Sequence, residues 1–328
     1  MINLLTLEPH CISRDLSGYI TTVFGVAKIG KSTFASKFPS PLFLATERGY
    51  NALGGIYAVD ITSWGDVKQI LRELKKPEVK EKFKTIVVDV IDIAADMCQK
   101  YICNQLGIEN IGDGGWTNNG WSRYKREFEE VFRTIAQLGY AVLFLSHDKE
   151  KTVKPKYGDE YQQTCCSLQS SAAAIIENMS DMILYAHDIP TENGDFKRVL
   201  TVRSDDGSIR CGSRFKYMDA QIDFSYEALT KALNEAIDRE AEVNNGLFVT
   251  NDSIAPIPQK NYNFTEMMNN FQTTVKSIMD KNAEMGAEIT EIIERYLGRG
   301  KKASDCTPSQ CEQLELINID LEHLLERV

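Results

Sequence analysis

YITTVFGVAKIGKSTFASKF, residues 19–38, decides how this chain is read. It opens as an apolar, β-branched run of strand character and continues after the loop as FASKF, with helical composition. Between the two, GVAKIGKS (Gly25–Ser32) matches GxxxxGK[ST] in full and in the strand–loop–helix setting that its mechanism needs. Gly25 and Gly30 let the backbone wrap closely around phosphate oxygens. The N–H groups of Val26, Ala27, Lys28 and Ile29, with the helix N-terminus behind them, then face the negative charge. Lys31 is expected on the β- and γ-phosphates, Ser32 on Mg²⁺ and Thr33 on the α-phosphate, which makes the loop a cradle for ATP.

Working outward, a magnesium site needs a carboxylate at the end of a neighbouring strand, and KTIVVDV supplies Asp89 after consecutive apolar residues. Asp92 competes for that role but falls in the next segment, where a helix cap is the preferred reading. Hydrolysis also needs a group to orient or deprotonate water, and Val90 rather than an acid follows Asp89. Glu47, at the end of PLFLATE, would project over the same sheet edge. A solvated loop acid is the other reading of Glu47. His147 ends AVLFLSH in the same way and would either sense the γ-phosphate or serve only the structure.

Repeated apolar strands, each followed by a helical pattern, run through residues 19–188 and predict an α/β core with a mainly parallel sheet flanked by helices. Beyond Asp188, KRVLTVRS, a turn at DDGS and IRCGSRF predict an antiparallel hairpin continuing the sheet, closed by a helix over 225–243. Residues 1–243 are thus one core, and 244–262, with Asn, Gly and two prolines but no periodicity, form a linker. In 263–328, Met268, Phe271, Val275, Ile278, Asn282, Met285, Ile289, Ile292 and Tyr296 recur at steps of three and four, and Leu314, Ile317, Leu321 and Leu324 repeat the spacing. A small C-terminal α-helical hairpin follows, packing on itself or the core, or docking a partner protein.

The formal charge of −10 excludes a protein coated in basic surface, and from Ala241 onward 8 basic residues face 14 acidic ones. No apolar run is long enough to span a bilayer, and the N-terminus lacks the pattern of a signal peptide, so a cytoplasmic protein is expected. The eight cysteines show no CxxC pair with histidine partners and read as reduced thiols.

The order of phosphate loop, strand-end Glu47, Asp89 and strand-end His147 resembles that of RecA-like recombination ATPases. GVAKIGKSTFASKFPSPLFLATERG, KTIVVDV and GWSRYKREF…AVLFLSH look most like the short RecA-like (AAA-type) ATPases encoded by bacteriophages, a resemblance covering about residues 15–240. It implies a RecA-like P-loop NTPase core, host cytoplasm as the location, and Glu47 as the catalytic base. The segments Gly107–Gly120 and Asp148–Gln169 then correspond to loops that touch single-stranded DNA. In the second, Lys149, Lys151, Lys154 and Lys156 are followed by Tyr157 and Tyr161. They would track a phosphate backbone and stack on bases, or form a merely solvated charged loop. Trp116 and Trp121 are open in the same way between stacking and anchoring. The resemblance further implies an oligomer in which a basic residue reaches the neighbour's γ-phosphate, with Arg203 first and Arg210 and Arg214 as alternatives. LTVRSDDG carries acids where those proteins carry further base, so a filament is not implied.

The leading expectation is an Mg²⁺-dependent ATPase that binds single-stranded DNA and assists recombination or annealing. The alternative is a nucleotide-gated replication or helicase-loading protein acting through its C-terminal helices.

Overall fold

Apolar side chains point alternately to the two sides of each central strand, so every strand feeds two cores. The computed structural model describes residues 4–113, 115, 119–243, 248–258 and 260–328, and the chain divides into the units Met1–Ile257 and Pro258–Val328. In chain order the first unit begins with β1 (Ile12–Ser13), β2 (Ile20–Gly25), α1 (Lys31–Ala35), β3 (Pro41–Ala45), β4 (Tyr57–Asp60), α2 (Trp64–Leu74) and α3 (Pro77–Lys82). It continues with β5 (Thr85–Asp89), α4 (Ile91–Leu106), α5 (Gly120–Gln137), β6 (Ala141–Ser146), β7 (Asp148–Val153), β8 (Tyr161–Cys166) and α6 (Ser170–Met179). It ends with β9 (Met182–Pro190), β10 (Phe196–Thr201), β11 (Gly212–Ser213), β12 (Gln221–Asp223), α7 (Tyr226–Val243) and β13 (Val249–Thr250). The second unit holds α8 (Phe264–Lys281), α9 (Gly286–Leu297) and α10 (Cys311–Arg327).

Among the described residues the main sheet has nine strands in the order β12-β10-β9-β2-β6-β5-β3-β4, with β11 against β9. β9, β2, β6, β5, β3 and β4 are parallel, as the alternation predicts. On one face Phe24, Ile86, Val88, Val142 and Phe144 pack under α2, α4, α5 and α6, where Trp64, Tyr124, Phe128 and Phe132 fill the layer. On the other, Val23, Val87, Leu143, Leu145 and Leu184 meet Phe34 of α1 and Leu229, Leu233 and Ile237 of α7. Each such side chain contributes about 1.5–3 kcal/mol by leaving water. β6 lies between β2 and β5, so the phosphate loop and Asp89 rise from strands separated by one other strand.

Four features differ from the sequence expectations. Asp148–Gln169 is not an open loop: most of it is the antiparallel β7–β8 hairpin, in register from Asp148↔Cys166 to Val153↔Tyr161. The hairpin partner of β10 is β9, not 209–215, because a turn at Thr191–Gly194, with Gly194 at φ 83°, already joins them. The DDGS segment does turn, since Asp206 accepts bonds from Ser204 Oγ (2.6 Å) and Ser208 N (2.9 Å), but β11 then returns to β9. Part of the expected linker is also laid on the core. β13 pairs in parallel with β1, the Ser13 hydroxyl donates to the Asp252 carbonyl (2.7 Å), and Ile257 N donates to the Gln137 carbonyl (2.9 Å).

The fourth difference lies in the second unit, where the seam is carried by three helices rather than by a hairpin. Ile278, Ile289, Ile292, Ile317, Leu321 and Leu324 form its buried core. Asn282 breaks the long seam: it is extended at φ −150° and its side chain accepts the Glu284 N–H, ending α8 and starting a short 3₁₀ turn before α9. No helix among the described residues is long and apolar enough to cross a membrane. All eight cysteines are free thiols.

Candidate active site

The phosphate loop is shaped by what a side chain could not do there. A Cβ on Gly25 would lie 2.3 Å from the Ala186 carbonyl oxygen of β9, and Gly30 stands at φ 107°, so neither position tolerates another residue without movement. Ile29 is buried and anchors the loop, whereas Val26, Ala27 and Lys28 are exposed along its crest. Lys31, 6% exposed, curls back over the loop and donates to the carbonyls of Gly25 (2.7 Å) and Val26 (3.0 Å). Burial lowers its pKa, against the opposing pull of Asp89. Thr33 follows on the first turn of α1.

At the metal corner the Ser32 hydroxyl donates to Asp89 Oδ2 at 2.7 Å. Burial raises the Asp89 pKa, opposed by that bond and by Lys31. A hydroxyl and a carboxylate are hard oxygen donors suited to Mg²⁺, and among the described residues no group of three or more His, Cys, Asp or Glu converges to hold a metal. Ser32 and Asp89 are the residues here that could hold such an ion. Two residues that the sequence did not single out complete it. The Thr46 hydroxyl accepts the Val90 N–H (2.8 Å) and so ties the end of β3 to the end of β5. Gly49 lies so close that its Cβ would stand 3.5 Å from Ser32 Oγ and 3.6 Å from Asp89 Oδ2.

Beside this corner Glu47 and His147 meet across the intervening strand β5, with Oε2 and Nε2 3.8 Å apart. Both are partly exposed, so the pair stands at the open rim of the pocket rather than within the core. Asp92 does not cap α4, whose N-cap is Val90 with no side-chain bond. Its carboxylate instead accepts the Ser146 hydroxyl, the Ser167 hydroxyl and the His147 N–H. Of the two carboxylates, Asp89 is the one that the Ser32 hydroxyl contacts.

The arginines expected to act on a neighbour are each engaged within the chain. Arg203 donates to the carbonyls of Lys216 (2.9 Å) and Met218 (3.2 Å), Arg210 to Glu177 (2.9 Å), and Arg214 to the Asn178 carbonyl (3.0 Å) while pairing with Asp181 at 3.3 Å. The arginine that the fold brings to the phosphate loop is Arg198 of β10, with Nη1 3.4 Å from where a Gly30 Cβ would be. It pairs with Asp188 at 3.2 Å and walls a 380 Å³ cavity with Thr33, Lys37, Phe224 and Tyr226. The cavity adjoins Thr33 at the start of α1 and is lined by a mixture of aromatic and polar side chains. Only the pairing of β10 with β9 and β12 reveals this, which is why spacing alone missed Arg198.

Of the hairpin lysines, Lys149 turns inward and donates to the carbonyls of Ser167 (3.0 Å) and Leu168 (2.6 Å). Lys154 pairs with Glu160 at 2.7 Å, Lys156 lies over the Tyr157 ring at 5.3 Å, and Lys151 lines a 510 Å³ cavity with Arg210 and Gln163. Tyr157 is 82% exposed at the tip. Trp121 is partly exposed at the start of α5, and Trp116 lies outside the described residues.

Residues 17–210 match the model of the AAA_24 family, described as an AAA domain. Over a 339-residue alignment spanning 99% of each chain, the sequence is 30% identical to the SPbeta prophage-derived uncharacterized protein YorG of Bacillus subtilis strain 168. Among solved structures, the KaiC-like protein PH0186 of Pyrococcus horikoshii OT3 aligns over 57% of this chain and 79% of that one, with a TM-score of 0.33 and 16% identity. With more than half of its length matched by the family model, the chain belongs to the AAA_24 family of P-loop ATPases.

Proposed function

We propose that this edge binds Mg²⁺–ATP and hydrolyses its terminal phosphate. The observation that carries the reading is the 2.7 Å contact of Ser32 with Asp89 beside Lys31, with Glu47 on the adjoining strand. Lys31 leaves the loop carbonyls for the β- and γ-phosphates, Glu47 orients and deprotonates the attacking water, and His147 senses the γ-phosphate from the far side of β5. A magnesium ion held by Ser32 and Asp89 would supply charge neutralisation on the phosphates. The cavity by Arg198 takes the nucleoside. Binding of a fluorescent ATP analogue tests the site: Lys31→Ala should lose it, and full retention would refute the assignment.

The ATPase is proposed to bind single-stranded DNA and assist recombination or annealing, with the β7–β8 hairpin as the contact. The exposed Tyr157, beside Lys154 and Lys156, supports stacking and backbone contact. An oligomer would recruit Arg203, Arg210 or Arg214 to a neighbour only by releasing its intrachain partner. The second reading, a nucleotide-gated protein acting on a protein partner, is favoured by the separate C-terminal core and its acidic balance. ATPase rate with and without single-stranded DNA separates them, since absence of stimulation and of salt-dependent binding would sink the first.

A further inference from the structure

The hairpin and the phosphate edge share one joint. Asp92 Oδ1 accepts the Ser167 hydroxyl at 2.8 Å and lies 2.8 Å from the Ser146 hydroxyl, whose one proton it shares with the His147 carbonyl at 2.9 Å, and Oδ2 accepts the His147 backbone N–H at 3.0 Å. Ser146 ends β6, His147 stands between β6 and β7, and Ser167 follows β8. A single carboxylate therefore grips both feet of the β7–β8 hairpin. The His147 carbonyl closes the same joint by accepting the Ser167 N–H at 2.8 Å. All of these partners lie outside α4, so holding the hairpin, rather than capping its own helix, is what the side chain does. On the other side Asp92 is in the first turn of α4, three residues after Asp89, and the His147 ring faces Glu47 at 3.8 Å.

We propose that Asp92 is a positioning residue that makes the hairpin base and the phosphate edge one mechanical unit, so that a ligand at either displaces the other. This rests on the reading of the edge as a nucleotide site. Hydrogen bonds to an ionised carboxylate are about twice as strong as neutral ones, and the Ser146 end of its bond is fully buried. Any shift of the β5 end, of α4 or of His147 on binding Mg²⁺–nucleotide then moves Ser167 with it, and the β7–β8 ladder carries the movement from Asp148↔Cys166 towards the tip. Removing the carboxylate breaks this transmission while leaving the contacts of Lys31 with the Gly25 and Val26 carbonyls and of Ser32 with Asp89 in place.

Hydrogen–deuterium exchange on the full chain, with and without Mg²⁺–ATPγS, reads both ends at once. In the native protein nucleotide should slow exchange over 25–33 and alter it over 148–166. In Asp92→Asn the change over 25–33 should persist, while the change over 148–166 should fall about tenfold or vanish, as for loss of one charge-assisted bond. An undiminished hairpin response in Asp92→Asn, or a native protein protected over 25–33 with no hairpin response, overturns the joint alone. Absence of protection over 25–33 in the native protein overturns the nucleotide site and the joint with it. Should Asp92→Asn fail to fold, Ser167→Ala removes only the far foot and should show the same selective loss.

Discussion

The phosphate edge and the β7–β8 hairpin meet at His147 and are built in opposite ways. At the edge, Lys31 and Asp89 are 6% and 5% exposed, and Gly25 has no room for a methyl group. On the hairpin Tyr157 is 82% exposed, and Lys154 finds its acid partner in open solvent. Desolvated charges on a rigid frame have shifted affinities for protons and metal and are costly to move, which suits bond chemistry. Solvated charges at an exposed hairpin tip cost little to rearrange, which suits a surface that adapts to a polymer.

The sharpest way to break this contrast is Glu47→Gln. Turnover should fall about 10²- to 10⁴-fold while binding of Mg²⁺–nucleotide persists, the signature of a lost base rather than a lost ligand. Turnover near the native rate would move the chemistry away from the rim formed with His147. Gly25→Ala comes next: the new Cβ must displace the Ala186 carbonyl, and stability should drop by about 1–3 kcal/mol in urea titration. A neutral outcome would mean that β9 and the loop are not rigidly apposed.

Asp89→Asn should act in the opposite direction. Burial raises the folded-state pKa of Asp89, so the folded protein binds its proton more readily than the unfolded chain does. Stability is then lost as pH rises from the unfolded value through the folded one. Asparagine keeps an acceptor for Ser32 without the charge, so the melting temperature at pH 7 should rise by a few degrees, corresponding to about 1 kcal/mol. The same variant should lose stabilisation by Mg²⁺–ATP. A fall in melting temperature would show that the attraction of Lys31 outweighs the cost of burial.

How far the sequence could be read follows the same division. GVAKIGKS, Glu47 and Asp89 are local signals, because a loop, a strand end and a carboxylate after apolar residues are each visible within ten positions. The parallel sheet was visible for the same reason, since alternating strands and helices leave few other topologies. Arg198, Gly49 and Thr46 owe their places to long-range strand order, which no window of sequence contains. Asp92 was misread because an acid early in a helix usually caps it, and only the fold brings Ser146 and Ser167 within reach. The second unit was misjudged at Asn282, where one side-chain bond to Glu284 N outweighs a continuing apolar period. The hairpin was hidden by its own composition, since DKEKTV and YQQTCC have little of the hydrophobic alternation of a half-buried strand.

The smallest expected effect tests the other side of the comparison. Lys154 pairs with Glu160 through side chains that are 74% and 53% exposed, and pairs so open contribute less than about 1 kcal/mol. Lys156 lies over the equally open Tyr157 ring. Replacing both lysines by alanine should therefore leave unfolding within about 0.5 kcal/mol of the native protein. Each lysine that neutralises a phosphate of single-stranded DNA adds about 0.7 to the slope of log affinity against log salt, so the double variant should lose about 1.4 of that slope. An unchanged slope would remove these two lysines from the DNA contact. A loss of stability above about 1 kcal/mol would instead make them part of the hairpin's own structure, and the division between a rigid edge and an adaptable surface would no longer hold at this end.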